Sequence, residues 1–416
     1  MKFSKDSEFF LKFLIDKFDK FIKKGILKNN DEVFKMLFND INLSYNYIKY
    51  LNRNDKIEKK ILSSKDLNYS HLILSSFVPN KIRKIIKNEI GQILQYNVEF
   101  PNHEVQVNFI IYDKNEDIAK YDLYSNLVFS WLKMAFMYSR ANCSKKLKIF
   151  IYMLEEKKYL PEKPVEILSP DHCNSAVTTA CQSKTEIIIY RKEEWFKVLI
   201  HESFHSLGLD FANYSTKKFE EGINNIFPLK EISVTETYAE FWATILNCLF
   251  CSFSMIDKKS DFENFMLYNC FFIQFEQIFS LLQMIKILNF MGINYKSLYQ
   301  KDSISISVRK YLYKEKTNVF AYYILKCLLL FYYDDFLEWC SKNNISLLRF
   351  NRDIKTLNSL LDFIREKHAN KDFIDSLKDV GSFIGDIKKD NENNEDNEDI
   401  KIFLKTTRMT VVDFNF

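Results

Sequence analysis

Chain breakers are scarce here. The 416 residues include only 7 glycines and 6 prolines, so few positions can turn the backbone sharply or interrupt a helix. Strong charge of one sign is also missing. The net charge of +4 is modest for this length and gives no reason to expect a nucleic-acid partner; no basic cluster with interleaved aromatics stands out beyond the N-terminal lysines. Long apolar runs are absent too. The longest uncharged stretch, Phe241–Ile256, has 16 residues and contains Asn247, which is short for a membrane span. The N-terminus is broken by charge every few residues and shows no signal peptide. No internal repeat is visible.

Aromatic residues are plentiful, with 39 Phe and 23 Tyr. With so few breakers they argue for an α+β, predominantly helical protein with a large buried core. The 8 cysteines are scattered, several in apolar helical runs (Cys248, Cys251, Cys270, Cys327). They read as buried reduced thiols of an intracellular protein rather than a disulfide framework. Cys248 and Cys251 form a C-x-x-C with no second pair, which is weak evidence for a metal.

Against this background one stretch stands out. Trp195–Asp210 contains His201-Glu202-Ser203-Phe204-His205, an H-E-x-x-H pattern in a chain with only 6 histidines. Phe196, Leu199, Ile200, Phe204 and Leu207 recur at helical spacing, Glu193 and Glu194 precede them, and Gly208 follows as a stop. On a helix the two imidazoles lie one above the other and can share one Zn²⁺, with Glu202 beside the first as a base. A third protein ligand is then needed.

Around this helix the chain divides into five parts. A helical region covers 1–95, a domain carrying the motif 96–256, a further helical region 257–385, an acidic disordered linker 386–400 and a tail 401–416. The first 30 residues hold eight lysines against four acids and read as the solvated face of a helical cap. Within the second part, Val105–Ile111 and Leu147–Leu154 are strands, Leu123–Arg140 is a helix, and the strand Glu186–Tyr190 leads directly into the motif. Helices follow at Ser233–Met255, Phe262–Phe290, Asn318–Cys340 and Lys355–His368. The apolar end, Met409–Phe416, could dock on the body or enter a cleft.

Strand, helix, strand, strand, metal helix is an order similar to the upper half of zincin metallopeptidases. The resemblance implies a small twisted sheet over the H-E-x-x-H helix. It also implies that Glu186–Tyr190 is an edge strand along which Ile187, Ile188 and Ile189 would pair with an extended peptide. Phe211 stands where astacin-like and matrix-type enzymes have a third histidine, so those groups do not fit. The run Thr235-Glu-Thr-Tyr-Ala-Glu-Phe-Trp-Ala243 resembles gluzincins, whose third ligand is a helical glutamate followed four residues later by an acid. This implies Glu236 as ligand, 31 residues beyond His205. Glu240 and Asp210 are then expected behind the ligands, where a carboxylate can accept a ring N–H. Two alternatives stay open: Asp210 as the third ligand, and Glu236 as part of a capping box with Ser233.

The stretch Arg191–Phe211, with Thr235–Ala243 behind it, also resembles uncharacterised metallopeptidase-like proteins of large DNA viruses. The implied activity is zinc-dependent peptide hydrolysis on a peptide or protein substrate, with Glu202 activating the attacking water. The alternative is a non-enzymatic, structural or virion-associated protein that keeps a zincin-like fold. Tyr322, Tyr323 and His172 are candidates for the cleft without an assigned place.

Overall fold

The computed structural model describes residues 2–18, 31–63, 65, 69–163, 165–212, 214, 216–230, 233–393 and 398–415. It is an α+β structure, 58% helical, built on one mixed six-stranded sheet. The chain enters through a short strand β1 (Lys2–Phe3) and the helices α1 (Lys5–Phe18) and α2 (Asp31–Arg53). Then come β2 (Glu58–Ser63), α3 (Asn80–Asn88), β3 (Gln92–Phe100), β4 (His103–Ile111), α4 (Lys120–Tyr138) and β5 (Lys146–Tyr152). The single-turn α5 (Pro170–Cys173), β6 (Ala176–Thr178), β7 (Lys184–Ile189) and α6 (Trp195–Ser206) follow.

The order across the sheet is β2-β3-β4-β5-β7-β6, with β4, β5 and β7 parallel and the other neighbours antiparallel. Alternation along the strands supplies two apolar faces. Ile93, Ile110, Phe150 and Ile188 meet Ile82 and Ile86 of α3 on one side. Leu94, Phe109, Ile151, Ile187 and Ile189 join the main core on the other, where α4 and α6 lie. Trp131 of α4 stacks on Phe204 of α6 at 6.2 Å, and Trp195 meets Phe109 edge-on at 5.9 Å. The motif helix is thus clamped between sheet and helical body.

The rest is helical: α7 (Lys217–Ile226), α8 (Glu236–Met255), α9 (Phe262–Phe290), α10 (Ser303–Leu312), a π-helical turn Phe320–Leu325, α11 (Lys326–Phe331), α12 (Tyr333–Asn343), α13 (Ile354–Lys367), α14 (Lys371–Asn393) and α15 (Glu398–Lys405). α9 is long and apolar enough to cross a membrane, but 83% of its most apolar window is buried inside the protein, packed on α8, α11 and α14. The chain closes with β8 (Phe414–Asn415), paired antiparallel to β1.

Several expectations change. The boundary at 95 falls inside β3, and β2 and β3 belong to the sheet, because β2 pairs with β3 and β3 in turn pairs with β4 beyond that boundary. The acidic stretch 386–400 is largely covered by α14 and α15; only 394–397 lie outside the described residues. Glu186–Tyr190 is not an edge: β7 lies between β5 and β6, and Ile187, Ile188 and Ile189 are all fully buried core residues. Two cysteines pair, Cys143 with Cys181, while the other six are buried. Burial pushes the Cys248 and Cys251 thiols well above their usual range, which is poor ground for a metal-binding thiolate.

Candidate metal centre

α6 carries the motif and is buried along its whole length. Its end shows why the sequence stops there. Gly208 adopts φ +67°, its N–H reaches the His205 carbonyl at 3.2 Å, and the Leu209 N–H reaches the Phe204 carbonyl at 2.8 Å. This Schellman pair turns the chain back, so that Asp210, two residues on, places its carboxylate on His205 Nδ1. Arg352 secures Asp210 in turn, donating from Nε to its carbonyl at 2.7 Å.

α8 supplies the other wall, with Ala239 and Ala243 fully buried where it packs against α6. Glu236 is its first residue; Thr235, at the N-cap, makes no side-chain cap bond, and the Ser233 hydroxyl pairs with that of Thr235 at 3.2 Å. Glu236 Oε2 stands 2.9 Å from His201 Nε2 and 3.2 Å from His205 Nε2, and the two Nε2 atoms are 3.2 Å apart. One helical turn on, Glu240 Oε2 stands 2.9 Å from His201 Nδ1, and its Oε1 is paired with the buried Lys197.

Each imidazole therefore has Nδ1 against a carboxylate and Nε2 pointing to a common centre. At His205 the Nδ1–Asp210 hydrogen bond fixes the tautomer that leaves Nε2 free as a metal donor; at His201 the Glu240 carboxylate stands beside Nδ1 without an aligned hydrogen bond. His201, His205 and Glu236 are the one such group among the described residues, with ligand atoms all within 4.8 Å of one another. Ligands about 2.0–2.1 Å from a tetrahedral ion stand roughly 3.3 Å apart. The donor set fits an ion after shifts of a few tenths of an ångström.

The electrostatics follow from burial and crowding. Burial alone would lower the imidazole of His201, but Glu236 and Glu240 outweigh it and raise it to about 9. His205 is raised well above its usual value against the same burial by Glu236 and Asp210. Burial pushes Glu236 up, but the two histidines hold it well below the carboxylate range. Glu202 goes the other way: burial raises it, the neighbouring histidines only partly offset this, and Glu236 and Glu240 add to the rise.

Tyr322 is brought to the centre, its hydroxyl 3.3 Å from Glu236 Oε2. It sits in the π-helical turn, a local geometry found often at functional sites. Tyr323 turns away and donates to the Thr407 carbonyl at 2.6 Å. His172 is elsewhere, completing a capping box with Ser169 at the start of α5. Asp210 lies behind His205, on the side away from Glu236. The tail docks on the body, and none of its described hydrogen bonds reaches His201, His205 or Glu236.

Sequence reasoning missed Lys197 and Arg352. Lys197 had a signal: it stands one turn before His201, as the one charge within the apolar run Trp195–Ile200. Arg352 had none, since it lies 142 residues from its partner.

No protein-family model, curated protein or solved structure matches this chain. The chemistry of the centre has to be argued from its own residues.

Proposed function

We propose that the chain is a zinc-dependent peptidase of gluzincin type, with His201, His205 and Glu236 as ligands. The observation that carries this is the convergence of two Nε2 atoms and one carboxylate, each imidazole backed by a second carboxylate, beside Glu202, which no hydrogen bond among the described residues restrains. A bound divalent ion would supply Lewis acidity, polarising a carbonyl and making water a stronger acid at neutral pH. Two imidazoles, one carboxylate and an open fourth position suit zinc best among the common divalent ions.

The protein groups then divide the work. Glu202, held buried with a raised proton affinity, takes a proton from the attacking water and passes it to the leaving amine. Tyr322 offers an O–H beside the ligand carboxylate, where it can donate to a developing oxyanion. β6 offers the peptide-binding edge that β7 cannot. Residues 175, 177 and 179 bond inward to β7, so alternation leaves the N–H and C=O of Ala176 and Thr178 facing outward. An extended peptide can pair there.

A second reading, a zincin-like fold kept as a structural or virion-associated module, draws support from how closed the centre is: His201 is 5% and His205 8% exposed. An intracellular setting draws support from the six other, buried cysteines and is opposed by the Cys143–Cys181 bond.

The test is the metal content of purified wild type, Glu236→Ala and Glu202→Gln, followed by a peptide-library screen. Near-stoichiometric zinc in wild type and Glu202→Gln, lost in Glu236→Ala, is expected. A wild type that takes up no zinc would sink the proposal. Zinc with no hydrolysis of any library peptide would favour the structural module.

A further inference from the structure

The C-terminal segment Thr406–Asp413 runs through the interior of the protein. Thr406, Thr407, Arg408, Thr410, Val411 and Val412 are each at most 2% exposed. Most of its backbone is held by side chains, in the manner of a bound peptide. The N–H groups of Met409 and Thr410 donate to Glu194 Oε1 at 2.7 and 2.6 Å, and those of Val411 and Val412 to Glu276 Oε1 at 2.9 Å each. The carbonyls of Thr407, Met409 and Val412 accept from Tyr323, Lys326 and Asn247 at 2.6, 3.0 and 2.7 Å.

Two of these anchors stand one step from the metal centre. Glu194 is the N-cap of α6, held in the left-handed region at φ 60°, a conformation unfavourable for a non-glycine residue. Its second oxygen pairs with the buried Lys158 at 2.5 Å. One turn along α6, Lys197 lies in the field of both Glu194 and Glu240 and binds Glu240 through Oε1, leaving Oε2 for His201. Tyr323 is the other anchor. Its neighbour Tyr322 donates to Glu236. The segment therefore touches the start of the helix bearing the histidines and the turn facing the carboxylate ligand.

We propose that the C-terminal segment is a positioning part of the metal centre. By fixing Glu194 and Tyr323 it sets the placement of His201, through Lys197 and Glu240, and of Glu236, through Tyr322, and so sets the affinity for a divalent ion. The physical basis is the cost of the alternative. Without the segment, Glu194, Glu276 and Lys326 lose main-chain partners while buried, and Lys286 loses one of its two. Buried charged groups stripped of hydrogen bonds force local rearrangement, and Glu194 and Lys326 border the two walls of the site. This inference rests on the metal reading above.

The test uses the full-length, metal-free protein titrated with Co²⁺, following the visible absorption, with zinc affinity measured by chelator competition. Lys197→Met is expected to weaken binding by about 10–100-fold, the usual effect of losing a group that orients a ligand, and Lys197→Arg to restore most of it. Glu194→Gln and Thr410→Pro, which removes one N–H to Glu194, should weaken binding in the same direction and alter the cobalt spectrum. The double variant Lys197→Met/Thr410→Pro should lose less than the product of the single losses. Leu37→Ala, a core truncation in α2, should lower Tm and leave the spectrum unchanged.

Folded Glu194→Gln and Thr410→Pro with wild-type cobalt affinity and spectrum would overturn the proposal. Should Thr410→Pro not fold, Tyr323→Phe, which removes a single hydroxyl, carries the same comparison. A wild type that binds neither ion sinks the metal reading itself; a wild type that binds while every tail variant matches it sinks only this inference.

Discussion

Among the carboxylates around the two histidines, Glu202 is the one that no hydrogen bond from a described residue restrains. Glu236 is held by both imidazoles and Tyr322, Glu240 by Lys197, and Asp210 by His205 and Arg352. A buried carboxyl with raised proton affinity and no fixed partner can exchange a proton with a reactant. Glu202→Gln keeps the shape and removes that capacity. It should retain the metal and lower the hydrolytic rate by about 10²–10⁴-fold, read as kcat on whichever library peptide the wild type cleaves. Equal rates in the two proteins would remove Glu202 from the reaction.

The ends of two elements decide how the centre is presented. At the end of α6, Gly208 needs a positive φ, and a Cβ there would meet Arg140 Cδ and Cys143 Sγ at 3.0 Å. Gly208→Ala is expected to cost about 1–3 kcal/mol, measured by denaturant unfolding, and to loosen Asp210 from His205. A cost below a few tenths would mean that the turn tolerates a side chain. Ahead of the π-helical turn, Glu315 accepts from the Phe320 N–H at 2.8 Å and from Tyr313 at 2.7 Å. Burial nevertheless raises its carboxyl to about 7. An acid with a raised folded value binds its proton more tightly in the folded state. Its stabilising contribution is present below the unfolded value near 4.5 and is lost as pH rises through about 7. The loss is of order 1–3 kcal/mol. Glu315→Gln should flatten that part of the stability profile between pH 5 and 8, seen by thermal melts; an unchanged slope would assign the pH dependence elsewhere.

Across the whole molecule, distant pieces of chain are tied at the same place. The Cys143–Cys181 bond joins the turn after α4 to the turn between β6 and β7, spanning 38 residues. Cys181 N–H also donates to the His205 carbonyl at 3.0 Å. Closing a loop of that length is worth about 4 kcal/mol in the chain-entropy account. Reductant should therefore lower the Tm of the wild type and leave that of Cys143→Ser/Cys181→Ser unchanged; a reductant-insensitive wild type would show that the bond does not contribute.

Much of the site could be read from local pattern. His201 and His205 share a face because the helical repeat puts residues four apart together, and the spacing of Glu236 and Glu240 works the same way on α8. The stop at Gly208 and the span Phe262–Phe290 are equally local, each written in consecutive residues. Edges and long-range partners were not legible. Ile187–Ile189 read as a strand, but its place in the sheet depended on Ala176–Thr178, too short to announce itself, folding back beside it. The acidic stretch after 386 read as a disordered linker, yet α14 runs through it to Asn393 and α15 begins at Glu398. Charge pairs such as Lys197–Glu240 and Glu194 with the tail join residues 43 and more than 200 positions apart. The sequence alone determined the helical character, the H-E-x-x-H helix and its candidate ligands, because helical periodicity is a property of neighbours. Only the tertiary structure decided which strand is the edge, which carboxylate backs which histidine and where the C-terminus goes, because burial and pairing arise when distant segments compete for the same interior.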